Sequence, residues 1–201
     1  MTAGRRTAAS LAAAVLLGGC AARARLPPPE VVQRAAAAPS YSAELRVRLQ
    51  GPELRARTRA LVAFRRPDAL RVEIPGPSGA RLIAVARGGR MWAVFPAQRA
   101  VFSGPAGAAD FESLLGVALE PGEVMDVLVG RRPARVRAYE ARWGEVFPRS
   151  IRATLPDGAR LQVEVEEPEL GTDLPAAAFA EPPHPGYRPV DAEEARSLWT
   201  R

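Results

Sequence analysis

An alternation of apolar and polar residues, repeated along most of the chain, restricts the fold more than any other feature of this sequence. Between Tyr41 and Leu49 apolar side chains occupy every second position, and Ser, Glu and Arg stand between them. This spacing is typical of a β-strand with one buried face and one face in water. Segments that also read as strands follow, separated by Gly, Pro or Asp turns, at 55–64, 70–74, 82–86, 91–95 and around 101–102. Six short strands at this spacing predict an antiparallel meander of the kind that closes into a barrel or a sandwich.

The period of the apolar residues changes to that of a helix in an insertion at 110–130. We expect Asp110 to cap a first short helix, which ends at Gly116. Pro121 suits the first position of a second helix, which ends at Gly130. We expect this pair of helices, inside an otherwise all-β chain, to cover one face of an open sheet.

The strand pattern resumes after the helical insertion. The sequence predicts strands at 136–143, 149–155 and 161–165, then a short helical turn at 174–179. Asp191 is placed to cap a final amphipathic helix. Together these segments predict a mainly β domain of the α+β class.

The N-terminal segment has the composition of an export signal. Arg5 and Arg6 precede an apolar run at 8–17, and the run continues into Leu-Leu-Gly-Gly-Cys, which ends at Cys20. A charged start, an apolar run of about 7–15 residues and small residues before the cut describe a secretory signal. The ending is similar to the lipobox of bacterial lipoproteins, which implies cleavage before Cys20 and lipid attachment to its thiol. An ordinary secretory signal with an unmodified Cys is the alternative.

These features divide the chain into four parts. We expect a signal peptide at 1–19 and a lipidated tether with a Pro-rich spacer and a short helix at 20–40. The β-domain is expected at 41–181, and a loop with a short helix at 182–201. No Asp follows Cys20 directly, and by similarity to the enterobacterial sorting rule this predicts an outer-membrane lipoprotein that faces the periplasm.

Composition argues against several function classes. All 28 basic residues are Arg, and they are spread along the strands, which is a poor pattern for nucleic-acid binding. Loss of Arg5 and Arg6 with the predicted signal lowers the formal net charge from +6 to +4, and this modest positive charge favours anionic membrane surfaces or acidic partners. His184, the sole histidine, lies in a Pro-rich loop, and no phosphate loop, metal-ligand spacing or Ser-His pair is present. We therefore expect no enzyme activity, no cofactor and no metal.

The order of strands, helical insertion and strands behind a predicted lipid anchor resembles the LolA and LolB lipoprotein carriers. Cys20 makes the resemblance greater to LolB, which is anchored. The similarity in pattern covers 41–180, and its most similar segments are Arg65–Arg71, Val72–Ile74, Gly76–Gly79, Arg81–Val85, Gly88–Gly89 and Leu115–Arg131. The resemblance implies a half-open antiparallel β-barrel with a helical lid over an apolar cavity. It also implies a non-enzymatic role, in which acyl chains of lipoproteins are received from a soluble periplasmic LolA-like carrier and delivered to the outer membrane.

A carrier of this kind needs inward apolar side chains, because each methylene that leaves water gains about 0.8 kcal/mol. The predicted cavity residues are Leu45, Val47, Val62, Phe64, Leu70, Val72, Leu82, Met91 and Phe95. The predicted lid residues are Phe111, Leu114, Leu115, Val124 and Leu128. The alternative is that these side chains simply pack against one another as a core.

One position departs from the family. LolB carries a Leu in a protruding loop that engages the membrane, and Ser78 stands at the corresponding position here. A hydroxyl does not favour insertion as a Leu side chain does. Three alternatives therefore stay open for the transfer step: it is weaker, it uses another loop, or it does not take place. Two hypotheses remain, a monomeric carrier and receptor for acyl chains, and an envelope scaffold that uses the same fold to bind a protein partner.

Overall fold

The computed structural model describes residues 27–52 and 54–200. The predicted signal peptide, Cys20 and the first part of the tether lie outside these described residues. The buried hydrophobic residues of the described part extend from Ala35 to Trp199 and include one large cluster. This part of the chain therefore has a core of its own and the anatomy of an independently folding domain.

Four α-helices and ten β-strands make up the described part. The helices are α1 Pro29–Ala36, α2 Ala108–Leu115, α3 Pro121–Leu128 and α4 Ala192–Thr200. The strands are β1 Ser40–Gln50, β2 Arg55–Arg65, β3 Ala69–Gly76, β4 Gly79–Arg87, β5 Arg90–Phe95, β6 Ala100–Pro105, β7 Ala138–Trp143, β8 Pro148–Thr154, β9 Arg160–Leu170 and β10 Arg188–Pro189. Two short 3-10 turns lie at Pro96–Gln98 and Ala176–Phe179.

The strands form a single open sheet in the order β10-β6-β5-β4-β3-β2-β1-β9-β8-β7. All neighbours are antiparallel except β10, which pairs in parallel with β6. Among the described strands β10 and β7 are the two edges, so the sheet does not close on itself. Helices α2 and α3 connect β6 to β7, and their buried residues join the main core cluster. The predicted half-open barrel with an inserted helical lid is confirmed.

Strands β2 and β3 separate part of the way along their length. Strand β1 pairs with all of β2, from Ser40 opposite Arg65 to Gln50 opposite Arg55. The pairing of β2 with β3 begins only at Leu61. On that side, among the described residues, the first half of β2 at 55–60 has no strand partner, so the sheet is open there.

The ends of the lid helices follow local sequence rules. Helix α2 ends at Gly116, whose positive φ of 69° is easily adopted only by Gly, and a Cβ there would lie 2.5 Å from Leu54 Cδ2. Helix α3 begins at Pro121, as predicted. The prediction that Asp110 caps α2 was wrong in position. Gly107 is the N-cap, and the Asp110 carboxylate on the third helical residue accepts a hydrogen bond from the Gly107 N–H at 3.2 Å.

The C-terminal segment follows a path that the sequence did not predict. Strand β9 continues through Pro168 to Leu170, and β10 is an additional strand. Between them the chain crosses the outer face of the sheet, where Phe179 is buried and the Arg71 guanidinium donates a hydrogen bond to the Ala178 carbonyl at 2.9 Å. Helix α4 then packs against α2 on the inner face. The predicted cap of α4 is confirmed, since the Asp191 carboxylate accepts a hydrogen bond from the Glu194 N–H at 2.8 Å.

Candidate functional site: an apolar cavity under the helical lid

A cavity of about 120 Å³ lies between the inner face of β1, β2, β3 and β9 and the lid helices α2 and α3. Its surface is wholly apolar, and Thr58 is the only hydroxyl-bearing or charged residue among the described residues of its wall. The lining residues are Leu45, Val47, Leu49, Ala56, Thr58, Ala60, Val62, Leu70, Val72, Ile74, Phe111, Leu115, Val117, Leu119, Val124, Val127, Leu128, Leu161, Val163 and Trp199.

The small side chains of β2 explain why this space stays open. Ala56, Thr58 and Ala60 point inward at every second position of the strand. Their partners on β1 are larger, with Leu45 opposite Ala60 and Val47 opposite Thr58. Because the β2 side chains are short, the wall of the sheet does not reach the lid, and a void remains between them.

The cavity reaches solvent beside the unpaired half of β2. Ala56 and Thr58 on that half are only partly buried, as are Val117 and Val124 from the lid on the other side. Among the described residues no strand fills the gap between 55–60 and β3. The cavity is therefore open to solvent between β2 and the lid.

Polar contacts at its two helices hold the lid in place. The Trp199 indole N–H of α4 donates a hydrogen bond to the Leu114 carbonyl of α2 at 2.8 Å, and the indole also lines the cavity. On α3, the Asp126 carboxylate accepts a hydrogen bond from Arg66 at 2.8 Å. The Tyr139 hydroxyl donates to the Val127 carbonyl at 2.9 Å, and burial raises the pKa of this tyrosine.

The structure separates the predicted cavity residues into two groups. Leu45, Val47, Val62, Leu70 and Val72 line the cavity. The other four do not border it and are fully buried in the packed core, namely Phe64, Leu82, Met91 and Phe95. Their side chains face inward as predicted, but neighbouring side chains cover them. Phe64, for example, stacks on Tyr41 with ring centroids 5.3 Å apart.

The lid residues divide in the same way. Phe111, Leu115, Val124 and Leu128 line the cavity, whereas Leu114 is fully buried away from it. Leu114 lies on the part of α2 that contacts α4.

Sequence reasoning missed several lining residues. The alternation of β2 already placed Ala56 and Thr58 on the inner face, and the same alternation held for Leu161 and Val163 on β9. These positions were recognisable from their period of two. Trp199 carried no such signal, because its contact with α2 joins residues 85 positions apart.

The remaining candidates lie away from the cavity. Ser78 is exposed in the turn between β3 and β4. His184 Nδ1 lies 2.8 Å from the Pro182 carbonyl oxygen, and Nε2 lies 3.5 Å from the Glu181 carboxylate. Within residues 27–52 and 54–200 there is no group of three or more His, Cys, Asp or Glu side chains suited to a metal ion. Across that same part of the chain, none of the helices has the length and apolar character to cross a membrane.

Comparison with known proteins gives likenesses in structure only. No family model matches the chain, and no curated protein matches it.

Solved structures that it is similar to include a LolA superfamily protein from Nitrosomonas europaea, at 12% identity over 78% of this chain and 99% of that chain, with a TM-score of 0.44. An uncharacterized conserved protein from Thermus thermophilus has 15% identity over 80% of this chain and 96% of its own, with a TM-score of 0.46. A putative outer membrane lipoprotein-sorting protein domain from Vibrio parahaemolyticus has 9% identity over 75% and 94%, with a TM-score of 0.44. Likeness at this level concerns the fold and does not carry function from one protein to another.

Proposed function

We propose that this chain is an envelope lipoprotein whose domain binds acyl chains in the cavity under the lid and carries lipid, or accepts and inserts lipoproteins, at the outer membrane. The observation that supports the proposal is a wholly apolar cavity with an entrance beside an unpaired strand. Each methylene that moves from water into such a site gains about 0.8 kcal/mol. A site of this kind suits an aliphatic chain.

The size of the cavity indicates that binding a whole chain requires the lid to move. Its volume of about 120 Å³ is close to that of an engineered cavity of about 150 Å³ that holds benzene. Sites for larger ligands enclose about 300–1,000 Å³. The structure therefore corresponds to a closed form, and an acyl chain enters when α2 and α3 move away from β2.

The lid contacts described above decide how easily this movement happens. Helix α2 depends on the bond from Trp199, and α3 depends on Arg66 and Tyr139. Breaking these few polar contacts exposes little polar surface, while the acyl chain replaces the apolar contacts between lid and sheet. Opening and loading are thus linked.

The predicted lipid on Cys20 would keep this domain at a membrane. Between Cys20 and α1 stand eight residues, the last two of which belong to the Pro27-Pro28-Pro29 run. At about 3.1 Å per residue an extended spacer of this length reaches about 25 Å. That reach lets the domain turn its entrance toward the membrane or toward a soluble LolA-like carrier.

The direct test is the lipid content of the domain purified as residues 27–201, measured by mass spectrometry, with binding of a fluorescent fatty acid as a second readout. We expect bound acyl chains in the unmodified domain. The variant Ala60→Phe places a phenyl ring in the cavity and should abolish binding. Leu61→Phe, on the next residue of β2, points out of the sheet and should leave binding unchanged.

An unmodified domain that contains no lipid and binds no fatty acid would overturn the proposal and favour the scaffold hypothesis. Depletion in the cell separates the two as well. Loss of a carrier should misplace many lipoproteins, whereas loss of a scaffold should affect a single complex.

A further inference from the structure

The outer face of β1 and β2 carries a groove lined with arginines. The groove encloses about 430 Å³ directly behind the cavity wall. Its charged and amide-bearing lining residues are Arg46, Arg48, Arg57, Arg59, Gln162 and Glu164. The alternation that turns Ala56, Thr58 and Ala60 inward turns the arginines between them outward.

Two pairs of arginines face each other across the β1–β2 ladder, and only one pair is neutralised by acidic side chains of the described residues. Arg46 lies opposite Arg59, and each forms an ion pair, with Glu166 at 2.7 Å and with Glu44 at 3.5 Å.

Arg48 lies opposite Arg57, and both are exposed. Among the described residues neither forms an ion pair. Like charges directly opposite on neighbouring strands, with Cβ atoms about 5 Å apart, destabilise a sheet. The Arg48–Arg57 pair therefore destabilises the sheet locally, and no acidic side chain of the described residues compensates for it.

The surroundings of this pair add further positive charge. Gln162 on β9 lies opposite Arg48 on one side and opposite Arg152 of β8 on the other. Arg152 forms an ion pair with Glu140 at 3.8 Å and adds little net charge. Arg55 and Arg160 occupy the next row toward the β1–β2 turn. The outer face near the opposite ends of these strands carries Glu44, Glu73, Glu167 and Glu169 around a second groove. Arg59 and Arg71 neutralise Glu44 and Glu73, so Glu167 and Glu169 give this end its net negative charge.

We propose that the arginine groove binds the phosphate groups of an anionic phospholipid bilayer and docks this end of the outer face on the membrane surface. Guanidinium groups present planar forks of N–H donors that match phosphate oxygens two at a time. Phosphates between Arg48 and Arg57 would neutralise the pair that no acidic side chain of the described residues neutralises. The acidic end of the same face would be repelled by the bilayer, so the docked orientation is defined.

The composition of the groove favours a lipid surface over a protein or a nucleic acid. The hot spots of specific protein interfaces combine Arg with buried Trp or Tyr, and single-stranded nucleic acids stack on aromatic rings. Among the described residues no aromatic side chain lines this groove. The large hydrophobic residues that are exposed in the described part are Leu61 and Val146, and neither lines it.

Docking through this groove would bring the cavity entrance next to the membrane. Val47 and Thr58 line both the groove and the cavity, so a single strand ladder separates the two. The unpaired edge of β2 lies between the arginines and the entrance. This consequence rests on the proposed lipid-binding function, whereas the docking itself rests on the charges alone.

The test is co-sedimentation of the domain, residues 27–201, with vesicles of phosphatidylcholine alone and with vesicles that also contain phosphatidylglycerol. We expect binding only to the anionic vesicles, and we expect added salt to weaken it because exposed charges are screened. Equal binding to both kinds of vesicle would overturn the proposal.

Two double variants with the same loss of charge locate the site. Arg48→Gln with Arg57→Gln should weaken binding to the anionic vesicles on the order of tenfold, at about a few-fold per basic residue. The control is Arg87→Gln with Arg90→Gln, which removes another exposed pair of directly opposed arginines, in the β4–β5 hairpin. This pair also forms no ion pair within the described residues. Its loss should change binding less than about twofold. An equal loss in both double variants would show that only net charge matters and would overturn the site.

Thermal unfolding of the first double variant gives an independent readout. Because it removes a like-charge pair, its melting temperature should equal or exceed that of the unmodified domain while its vesicle binding falls. A lower melting temperature together with weaker binding would mean that the substitutions damage the fold, and would contradict the argument from uncompensated charge.

Other anions separate the sources of phosphate. Inorganic phosphate that displaces the domain from vesicles at low concentration would identify a free-phosphate site and overturn membrane docking. Tighter binding to a single-stranded oligonucleotide than to anionic vesicles would overturn it as well. The lipid content of the domain should be the same in both double variants, so failure of docking and failure of the proposed lipid cavity are distinguishable.

Discussion

The two halves of the inner face use the same alternating pattern and form different interiors. In the half built by β1, β2 and β3, the inward side chains of β2 are small, and a cavity remains under the lid. In the half built by β4, β5 and β6, Leu82, Met91 and Phe95 are fully buried and closely covered. There a Cβ on Gly104 would lie 2.8 Å from the Phe102 ring, so even the backbone is tightly approached. Alternation decides which face is buried, and side-chain size decides whether that face is filled.

Truncation of a Leu to Ala in each half should give the largest difference in stability between the two halves. Leu82→Ala in the packed half should lower the free energy of unfolding by about 4 kcal/mol, whereas Leu45→Ala beside the cavity should lower it by about 2 kcal/mol. Both side chains are buried, but Leu45 borders a void and has fewer contacts to lose. Urea titration of both variants measures the difference. Equal losses would mean that the cavity is filled in solution, for example by lipid that co-purifies.

Enlarging a small residue should also destabilise the packed half more than the half with the cavity. Ala93→Phe in the packed half should cost about 3 kcal/mol, because the ring has no space and neighbours must shift. Ala60→Phe should cost about 1 kcal/mol or less, since the ring fills the cavity. Denaturant midpoints of lipid-free protein give the comparison. A cost for Ala60→Phe as large as that for Ala93→Phe would contradict the presence of usable space under the lid.

The two lid contacts should differ in their effect on lipid exchange. Trp199→Phe removes the N–H that bonds the Leu114 carbonyl and should cost about 2 kcal/mol of stability. Because Trp199 also lines the cavity, release of a fluorescent fatty acid, followed by stopped flow, should become faster. Tyr139→Phe removes a similar hydrogen bond to α3 without altering the cavity wall, so it should speed release less than Trp199→Phe does. Unchanged release in Tyr139→Phe would mean that α3 does not move when the fatty acid leaves.

Alkaline pH offers the smallest effect and compares two buried tyrosines. Burial raises the pKa of Tyr41 and of Tyr139 above the ordinary value of about 10. Above that pH the unfolded chain loses protons that the folded chain keeps, so the free energy of unfolding falls as pH rises. The slope is about 1.4 kcal/mol per pH unit for each tyrosine that stays protonated in the fold.

The Tyr→Phe variants separate the two contributions in urea titrations above pH 10. Tyr41 packs on Phe64 outside the cavity, whereas Tyr139 contacts the lid. If the lid opens in lipid-free protein, Tyr41→Phe should flatten the slope more than Tyr139→Phe. Equal flattening would show that the lid stays closed without lipid.

Much of the fold could be predicted from sequence because its signals are local. Strand β1 follows from the alternation after Tyr41, and the ends of the lid helices follow from Gly116 and Pro121. Strand β10 was missed because it has two residues and is set by its partner β6. The passage of β9 through Pro168 was missed because Pro is a frequent strand terminator.

The division between cavity and packed core could not be predicted from the pattern. Val62 and Phe64 occupy the same face of the same strand, yet only Val62 borders the cavity. What separates them is their position beneath the lid, which depends on contacts with residues far away in the chain. Trp199 shows the same limit, since its place beside Leu114 follows from the path of the whole C-terminal segment.

Strand β2 has an inner face that borders the cavity and an outer face that carries arginines, and this limits where the chain can gain or lose residues. A shift of one residue along a strand exchanges its two faces. A one-residue insertion or deletion between Ala60 and Leu61 would turn Arg55, Arg57 and Arg59 toward the apolar cavity and present Ala56 and Ala60 to water. The same change in the connection between Gln50 and Arg55 would leave both faces in place. Length variation among natural relatives of this chain should therefore concentrate in that connection and be absent from the first half of β2.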